Sequence, residues 1–332
     1  MKDHQLRALV QVADSGSIRA AARAMNLSQS ALTKALRELE EDVGAELLQR
    51  SYKGIGFTPE GTALLIRARL VLATIEKARA EIRQMRGGAG AHVKAAITPL
   101  VTATVMPRVL AAFRKAQPEA ELTFHEGLLV TALPGLIEGT LDFAVALASP
   151  QDLPYEIEFE PLTDIEAIPF VNLGHPLAEA RDWEAVAGAE WVLNLSAGSQ
   201  SMNLVGWLEQ HGLPAPSRIL HCSSPFLILE LARRNELIGY GPKVLITDPQ
   251  VGVGLRPLPL QPLPPTMPLG LLTPRGVPLG SAAKTLANLF RHEGIYEDDV
   301  SPAMKALAGL RDIERARILG ALLRVVYLFS AS

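Results

Sequence analysis

Cysteine is almost absent from this chain, and its scarcity excludes two kinds of stabilisation. Cys222 is the only cysteine among 332 residues, so no disulfide can form within one chain. Zinc sites built from cysteine need several thiolates and are excluded for the same reason. Long apolar runs are missing as well: the richest, residues 318–329, is interrupted by Arg324 and is shorter than the roughly 18–20 residues that span a bilayer. Because the polar start also lacks an apolar export signal, we predict a cytoplasmic protein without a membrane segment.

A strong net charge is also lacking, but the small total hides a regional difference. The formal net charge is −3. Residues 1–90 carry 14 Lys/Arg against 10 Asp/Glu, a balance of +4 that leaves −7 for the rest of the chain. A modestly basic N-terminal region followed by an acidic remainder is compatible with nucleic-acid binding by the N-terminal region. With 48% hydrophobic and 20% charged residues over this length, the chain is expected to fold into two or three packed domains.

The first 45 residues have the spacing of three short helices. Apolar residues recur at helical intervals in the first, Gly16 ends it, and Ser17 caps the second. The segment 26–28 is a predicted tight turn, with Ser28 as the N-cap of the third helix. This order, with a short turn between the second and third helices, is typical of a helix-turn-helix.

The third helix has two different faces. One is an apolar stripe, and the other presents amide, hydroxyl and cationic groups near the N-terminus. Such groups on a helix that follows a short turn are typical of a recognition helix in the major groove. The same pattern also fits the solvated face of an ordinary surface helix, and the helix alone does not separate the two interpretations.

A hairpin wing is predicted directly after this helix, in residues 47–58. Two short strands flank the glycines there, and Arg50 and Lys53 are placed to contact phosphate or the minor groove. A helix-turn-helix followed by a wing is far more specific than either piece alone. The predicted DNA-binding residues are Ser28, Gln29, Ser30, Thr33, Lys34, Arg37, Arg50 and Lys53.

These segments closely resemble the LysR-type transcriptional regulators. The likeness is carried by Leu-Ser-Gln-Ser-Ala-Leu-Thr-Lys at 27–34, by residues 16–22, and by Phe-Thr-Pro-Glu-Gly at 57–61. It covers residues 1–90 and continues more loosely to about residue 295. The resemblance implies a tetramer and contacts to bases or backbone from Gln29, Thr33, Lys34 and Arg50. Ser30 departs from the family, since many relatives have proline there.

A long helix is predicted to follow the winged domain. Thr58 is its expected N-cap, and Pro59 and Glu60 suit its first turn. Apolar residues then alternate in steps of three and four from Gly61 to Met85, and two glycines at 87–88 end the pattern. These apolar residues form a stripe along one side of the helix, which we call the seam. The seam favours pairing with the same helix of a second chain over burial inside a globule, because binding to paired DNA half-sites requires a dimer. We therefore predict a winged domain over 1–58 and a dimerisation helix over 59–88.

The remainder of the chain alternates strands and helices in two rounds. The order β-α-β-α-β predicts parallel sheets with ligand space beyond the strand C-termini. We expect lobe 1 over about 91–161 and 267–296, and lobe 2 over about 162–266. The resemblance implies that 91–296 form an effector domain similar to the periplasmic binding proteins (type 2). The predicted fold class is thus α/β: a winged helix-turn-helix, a long linker helix and a two-lobed effector domain.

Hydroxyl side chains follow several of the predicted strands, at helix N-termini. Hydroxyls and free N–H groups there bind an anion without a formal counter-charge, although each hydroxyl also suits plain N-capping. As a set they favour a small carboxylate or sulfonate, and residues 98–99 and 138–144 resemble regulators of aromatic-acid and arylsulfonate degradation. The predicted effector-binding residues are Thr98, Pro99, Leu100, Val130, Thr131, Ser196, Ser199, Ser201 and Ser223.

An enzyme or a small-molecule carrier with the same kind of cleft is the main alternative. No phosphate-binding glycine loop, nucleophile elbow or zinc-binding histidine motif occurs, and the seven histidines are scattered. We therefore predict no catalytic residue, no metal and no cofactor besides the effector. A redox role for Cys222 would need a second thiol, and a lone cysteine is more often a small buried apolar residue.

The predicted partners are double-stranded promoter DNA, RNA polymerase, the effector and further copies of the chain, as a homodimer or homotetramer. Residues 297–332 extend beyond the usual length of the family. Their amphipathic pattern fits either an additional oligomerisation helix or a poorly ordered extension.

Overall fold

The computed structural model describes residues 1–51, 54–86 and 91–292. Lys53, the glycines at 87–88 and the extension 297–332 lie outside the described residues. No helix within the described ranges combines the length and the apolar character needed to cross a membrane.

The N-terminal domain has three helices and a hairpin, as predicted. In chain order they are α1 (Asp3–Ser15), α2 (Ile18–Ala24), α3 (Gln29–Val43), β1 (Leu48–Ser51) and β2 (Gly54–Phe57). Gly16 ends α1 with a φ of 67°, in the left-handed region where glycine is unstrained. The hydroxyls of Ser17 and Ser28 each accept a first-turn N–H bond at 3.1 Å. Leu9, Leu32 and Leu39 are fully buried between the helices.

Helix α4 (Pro59–Met85) begins at the predicted cap and divides the predicted seam in two. The Thr58 hydroxyl accepts the N–H of Gly61 at 2.9 Å. Gly61 and Ala68 are buried, and a Cβ at Gly61 would overlap the backbone of Leu47, so this half packs on the chain's own winged domain. The C-terminal half of the seam is exposed at Val71, Ala78, Ile82 and Met85. Only that half is available to a partner helix.

Residues 91–292 form two α/β lobes. The strands in chain order are β3 (His92–Ile97), β4 (Glu121–Glu126), β5 (Phe143–Leu147), β6 (Ile157–Ile165), β7 (Ala167–Asn172), β8 (Glu190–Leu193), β9 (Arg218–His221), β10 (Ile238–Pro242), β11 (Leu255–Pro257) and β12 (Met267–Pro274). The helices are α5 (Pro99–Thr104), α6 (Met106–Ala116), α7 (Leu129–Ile137), α8 (Gln200–Gln210), α9 (Pro225–Arg234), α10 (Lys243–Thr247) and α11 (Ser281–His292).

Each lobe contains a mixed sheet. The strand order is β4-β3-β5-β12-β6 in lobe 1 and β11-β7-β10-β8-β9 in lobe 2. Strand β3 runs parallel to β4 and β5, and β8 runs parallel to β9 and β10, as the alternating pattern predicted. Strands β6, β7, β11 and β12 pair antiparallel, and three of them (β6, β11 and β12) were not predicted.

The boundary between the lobes differs from the predicted one. Strand β6 pairs with β12 as far as Ile165, so Leu162 belongs to the sheet of lobe 1. The first crossing therefore lies at Glu166, between β6 and β7, rather than near Leu162. The return near Thr266 agrees with the prediction, since β12 begins at Met267.

Both faces of each sheet are covered, which explains the near-continuous apolar strands. In lobe 1, Phe113 on α6 and Phe290 on α11 pack against one face, and Leu136 on α7 against the other. In lobe 2, the rings of Trp183 and Trp191 stack with centroids 6.2 Å apart. These rigid layers hold the strand ends of the two lobes opposite each other.

Candidate functional site

The polar face of α3 forms one shallow surface depression. It is lined by five of the predicted DNA-binding residues, Gln29, Ser30, Thr33, Lys34 and Arg37. The Lys34 side chain is 79% exposed, and its Nζ lies 3.8 Å from Oε1 of Glu38. Arg37 is exposed and forms no ion pair with any residue in the described ranges. The face therefore presents cations and amides to solvent on the side opposite its buried leucines.

Short-range hydrogen bonds organise the start of this helix. Ser28 caps it and lies 3.0 Å from the Ser30 hydroxyl, while the Thr33 hydroxyl donates to the carbonyl of Gln29 at 2.8 Å. Ser30 thus joins the cap in the position where many relatives have proline. The backbone of Arg50 lies in β1, at the hairpin, and Lys53 lies outside the described residues. The role of all eight residues in DNA contact remains a prediction.

A cleft between the lobes encloses about 860 Å³, open solvent at its mouth included. Six of the nine predicted effector residues line it: Thr98, Pro99, Leu100, Ser196, Ser199 and Ser201. Its other walls are largely aliphatic, with the Phe170 ring, and no Lys, Arg, His, Asp or Glu is among the described residues that line it. Such a cleft suits a ligand with an apolar body and a few hydrogen-bonding groups.

The serine and threonine hydroxyls of the cleft fall into two pairs. Ser196 and Ser199 donate to the side-chain and backbone oxygens of Asn194, both at 2.6 Å, and so shape the loop before α8. Thr98 and Ser201 are each only 3% exposed, and neither hydroxyl has a hydrogen-bond partner among the described residues. Buried hydroxyls are normally satisfied, so Thr98 and Ser201 are the two of these four that are free to bind a ligand.

Three predicted effector residues do not line the cleft. Val130 is 45% exposed, and the Thr131 hydroxyl donates to the carbonyl of Leu128 at 2.7 Å. Ser223 is exposed, and its carbonyl accepts a bond from Asn194 at 3.4 Å. These three residues follow strands, as the sequence suggested, but neighbouring residues line the cleft in their place. At the start of α7, Leu128 and Leu129 occupy the wall instead.

Sequence reasoning missed three polar residues of the cleft: Asn194, Gln200 and Tyr240. The amide nitrogen of Gln200 is buried and has no partner in the described structure. Tyr240 on β10 is 6% exposed, and burial, helped by the Glu166 carboxylate, raises the pKa of its hydroxyl. Asn194 and Gln200 could have been found, because one follows a strand and the other directly follows the cap of α8.

Helix α4 contacts lobe 1 beside the far end of α7. The Lys77 ammonium lies 2.6 Å from the largely buried carboxylate of Asp142, which also accepts the backbone N–H of Lys94 at 2.8 Å. Arg69 lies 3.6 Å from Glu138, the residue that follows α7. Since α7 begins at the cleft, one helix connects the ligand space to the linker helix.

The other groups considered from the sequence have local roles. Cys222 is half-buried, and its thiol donates to the carbonyl of Ser224 at 3.5 Å. His175 is buried, accepts the N–H of Leu177 at 3.1 Å, and has its pKa lowered by desolvation. No cluster of three or more potential metal ligands occurs within the described ranges.

Two family profiles match the chain, one at each end of helix α4. "Bacterial regulatory helix-turn-helix protein, lysR family" matches residues 4–62, and "LysR substrate binding domain" matches residues 86–294. The chain belongs to the LysR family. It is a LysR-type DNA-binding transcriptional regulator with an effector-binding domain, which confirms the predicted class of regulator and the fold class; the chemical class of the effector stays a prediction.

Individual relatives are distant but cover much of the chain. The HTH-type transcriptional regulator TdcA of Escherichia coli (strain K12) is 27% identical over 64% of this chain and 68% of its own length. An uncharacterised HTH-type regulator of the same strain, YdcI, is 26% identical over 86% of this chain and 94% of its own. The solved structure of full-length CbnR with its target DNA has a TM-score of 0.60 and 20% identity, covering 89% of this chain and 100% of that one.

A third profile, "Exopolyphosphatase, C-terminal", matches residues 277–332. Most of that stretch lies outside the described residues. Its described part includes α11, whose Leu286 and Phe290 are buried in the core of lobe 1. The match covers about a sixth of the chain, so it assigns no further family to this protein.

Proposed function

We propose that this LysR-family regulator binds double-stranded promoter DNA as a homodimer or homotetramer and responds to a small aromatic carboxylate or sulfonate. The DNA would be contacted by the polar face of α3 and the wing, and the acid would bind between the lobes. The observation that carries the effector class is the cleft, whose described lining residues are mostly apolar and uncharged and include two buried hydroxyls without a described partner.

The chemistry of the cleft supports an aromatic acid. Thr98 and Ser201 offer hydroxyl donors, and the backbone N–H groups of Gln200 and Ser201 at the start of α8 have no acceptor among the described residues, whereas the N–H of Met202 is bonded to the Ser199 hydroxyl. Helix N-termini carry partial positive charge, so hydroxyls and amides together stabilise an anion without Lys or Arg. The leucines and the other aliphatic residues that line the cleft provide the apolar surface that buries an aromatic ring.

The DNA-binding proposal rests on exposure and charge. Lys34 and Arg37 project from the face of α3 opposite the buried Leu32, Leu36 and Leu39. Cations there contact phosphates, and amides and hydroxyls contact base edges. CbnR, which shares the fold, was solved with its target DNA. The half-exposed seam on α4 offers an apolar surface for a second copy of the chain.

Effector binding would act on the DNA-binding domains through lobe 1 and α4. Helix α7 starts at Leu129 in the cleft wall and ends beside Arg69 and Gly139, where α4 packs. A ligand that prefers one lobe arrangement would shift the position of α7 and hence of α4. The result would be a change in DNA bending and in contact with RNA polymerase. The protein would act in the cytoplasm, and no catalytic step is required.

A footprint on the DNA upstream of this protein's own coding sequence tests the proposal. The purified chain would be used at two salt concentrations, without ligand, with benzoate and with benzenesulfonate. We expect a protected site spanning several helical turns that shortens or shifts with one acid. Protection that no acid alters would contradict the effector class, and absence of protection at both salts would contradict the DNA site.

A further inference from the structure

A second cavity meets the interlobe cleft beside the crossings between the lobes. It encloses about 1090 Å³, open solvent included. Its walls are residues 149–152 after β5, one face of α8, and residues 264–268 of the return crossing. Gln200 and Tyr240 line both cavities. These two side chains therefore stand between the cleft and the second cavity.

The junction holds polar groups that the protein leaves without partners. The side-chain nitrogen of Gln200 is buried and unpaired in the described structure. Tyr240 is more than nine-tenths buried, and its hydroxyl has no hydrogen-bond partner within the described ranges. Burying an unpaired donor is unfavourable, so the Gln200 amide, with the unpaired Tyr240 hydroxyl beside it in the lining, is available to a ligand acceptor at this junction.

The second cavity differs from the cleft in its chemistry. Three further amide side chains line it, from Gln151, Asn203 and Gln210, and none has a side-chain partner among the described residues. Asp152 is its one charged lining residue, and neither Lys nor Arg is among the described residues there. Amides bind neutral hydrogen-bonding groups, and the carboxylate of Asp152 disfavours a second anion.

We infer that the effector has two parts: an acidic aromatic head in the cleft, and a neutral hydroxyl- or amide-bearing tail that passes Gln200 and Tyr240 into the second cavity. Gln200 donates a hydrogen bond to an acceptor at the start of this tail. This bond makes an effector with the polar tail bind more tightly than one with an apolar tail of equal size. This inference rests on the proposed function, because it presupposes an acid in the cleft.

Three probes with the same head test the inference: benzoate, 4-acetamidobenzoate and 4-isobutylbenzoate, whose tail has the size and branching of the acetamido group. Calorimetric titration of the full chain should give one site per chain and roughly tenfold tighter binding of the acetamido than of the isobutyl probe, the size of one hydrogen bond. In Gln200→Leu this preference should vanish or reverse. The melting temperature without ligand should not fall, because the substitution removes an unpaired buried donor.

Two further variants separate the head from the tail. Thr98→Val should weaken all three probes and keep the acetamido preference, because it removes a donor to the head. Gln250→Leu, in an exposed loop outside both cavities, should change nothing. Equal binding of the two tailed probes to the native chain, or an unchanged preference in Gln200→Leu, would overturn the inference and leave the aromatic-acid proposal standing. Failure of all three probes to bind would overturn both.

Discussion

The polar face of α3 and the interlobe cleft are built in opposite ways. The residues of the α3 face come from nine consecutive positions on one helix, 29–37, and hold their cations in solvent. The cleft residues come from positions between 98 and 246, from both lobes, and none of those described is formally charged. The first surface is therefore suited to electrostatic attraction to a large anion, and the second to desolvation and a few placed hydrogen bonds.

This difference has consequences for how each site responds to its surroundings. Phosphate contacts release counterions, so DNA affinity falls steeply with salt. Binding in a buried, uncharged cleft is screened much less. Salt should thus act as a selective probe of α3, and conservative removal of single hydroxyls as a selective probe of the cleft.

The largest expected effect comes from the double variant Lys34→Gln with Arg37→Gln. Each cationic contact contributes about 1–3 kcal/mol, so promoter affinity should fall by roughly 100-fold at low salt. The dependence of log affinity on log salt should also flatten by about two units. Fluorescence anisotropy with labelled promoter DNA at several salt concentrations measures both quantities.

A matched charge removal far from α3 provides the control. Arg218→Gln removes an exposed cation from β9 in lobe 2, where its partner is Glu190. Its promoter affinity and salt slope should equal those of the native chain. If the double variant behaved like this control, Lys34 and Arg37 would have no part in DNA binding.

The next largest effect is expected where the two sites communicate. Lys77→Met leaves the Asp142 carboxylate without its cation, so the free energy of unfolding should fall by about 2 kcal/mol. The footprint should no longer respond to the effector, although the effector and DNA should each still bind. Arg79→Met, which removes a surface pair with Glu76, is the comparison variant. A full effector response in Lys77→Met would show that α4 communicates with the cleft by another route.

Removal of one cleft hydroxyl should have a smaller and more selective effect. Thr98→Val keeps the shape of the side chain and removes one donor, which should weaken benzoate binding by about tenfold. Promoter affinity without ligand should stay unchanged. Thr131→Val removes a hydroxyl that lies outside the cleft and should affect neither measurement. Equal benzoate affinity in Thr98→Val and the native chain would place the acid elsewhere.

The smallest effect concerns pH and involves neither site. Desolvation lowers the pKa of His175 below its ordinary value of 6.5, so the folded state favours the neutral ring. The stability that depends on a neutral His175 ring is therefore fully present above pH 6.5. As the pH falls from there towards the lowered pKa, the free energy of unfolding decreases, because the unfolded chain takes up a proton that the folded chain does not. Denaturant unfolding of His175→Asn should show a weaker loss of stability over this range than the native chain. Exposed His4→Asn should show the native profile, and identical profiles in all three proteins would contradict the role of His175.

Local features were predicted correctly because their causes lie within a few residues. The caps at Ser17, Ser28 and Thr58 each use a hydroxyl that accepts an N–H three residues later, which is visible in the sequence. The parallel strands were recognised by their apolar character. Strand β6 was missed because none of its residues between the two ends is buried and because it includes Pro161, and β12 because prolines stand at both its ends.

Features that depend on distant residues were predicted less well. The seam on α4 has one apolar pattern, yet Gly61 and Ala68 face the chain's own winged domain and Ile82 faces solvent. Val130 and Thr131 follow a strand as predicted, but a helix turns by about 100° per residue, and the neighbouring Leu129 occupies the cleft wall. Neither outcome can be derived from spacing alone.

The sequence by itself determined the family, the order of the domains and the composition of the DNA-facing helix, because these depend on periodicity and short-range capping. Only the tertiary structure decided which hydroxyls remain unpaired, where the lobes cross, and that Gln200 and Tyr240 join two cavities. The physical reason is that burial and hydrogen-bond satisfaction are properties of contacts between residues far apart in the chain, and those contacts exist only once both lobes have packed.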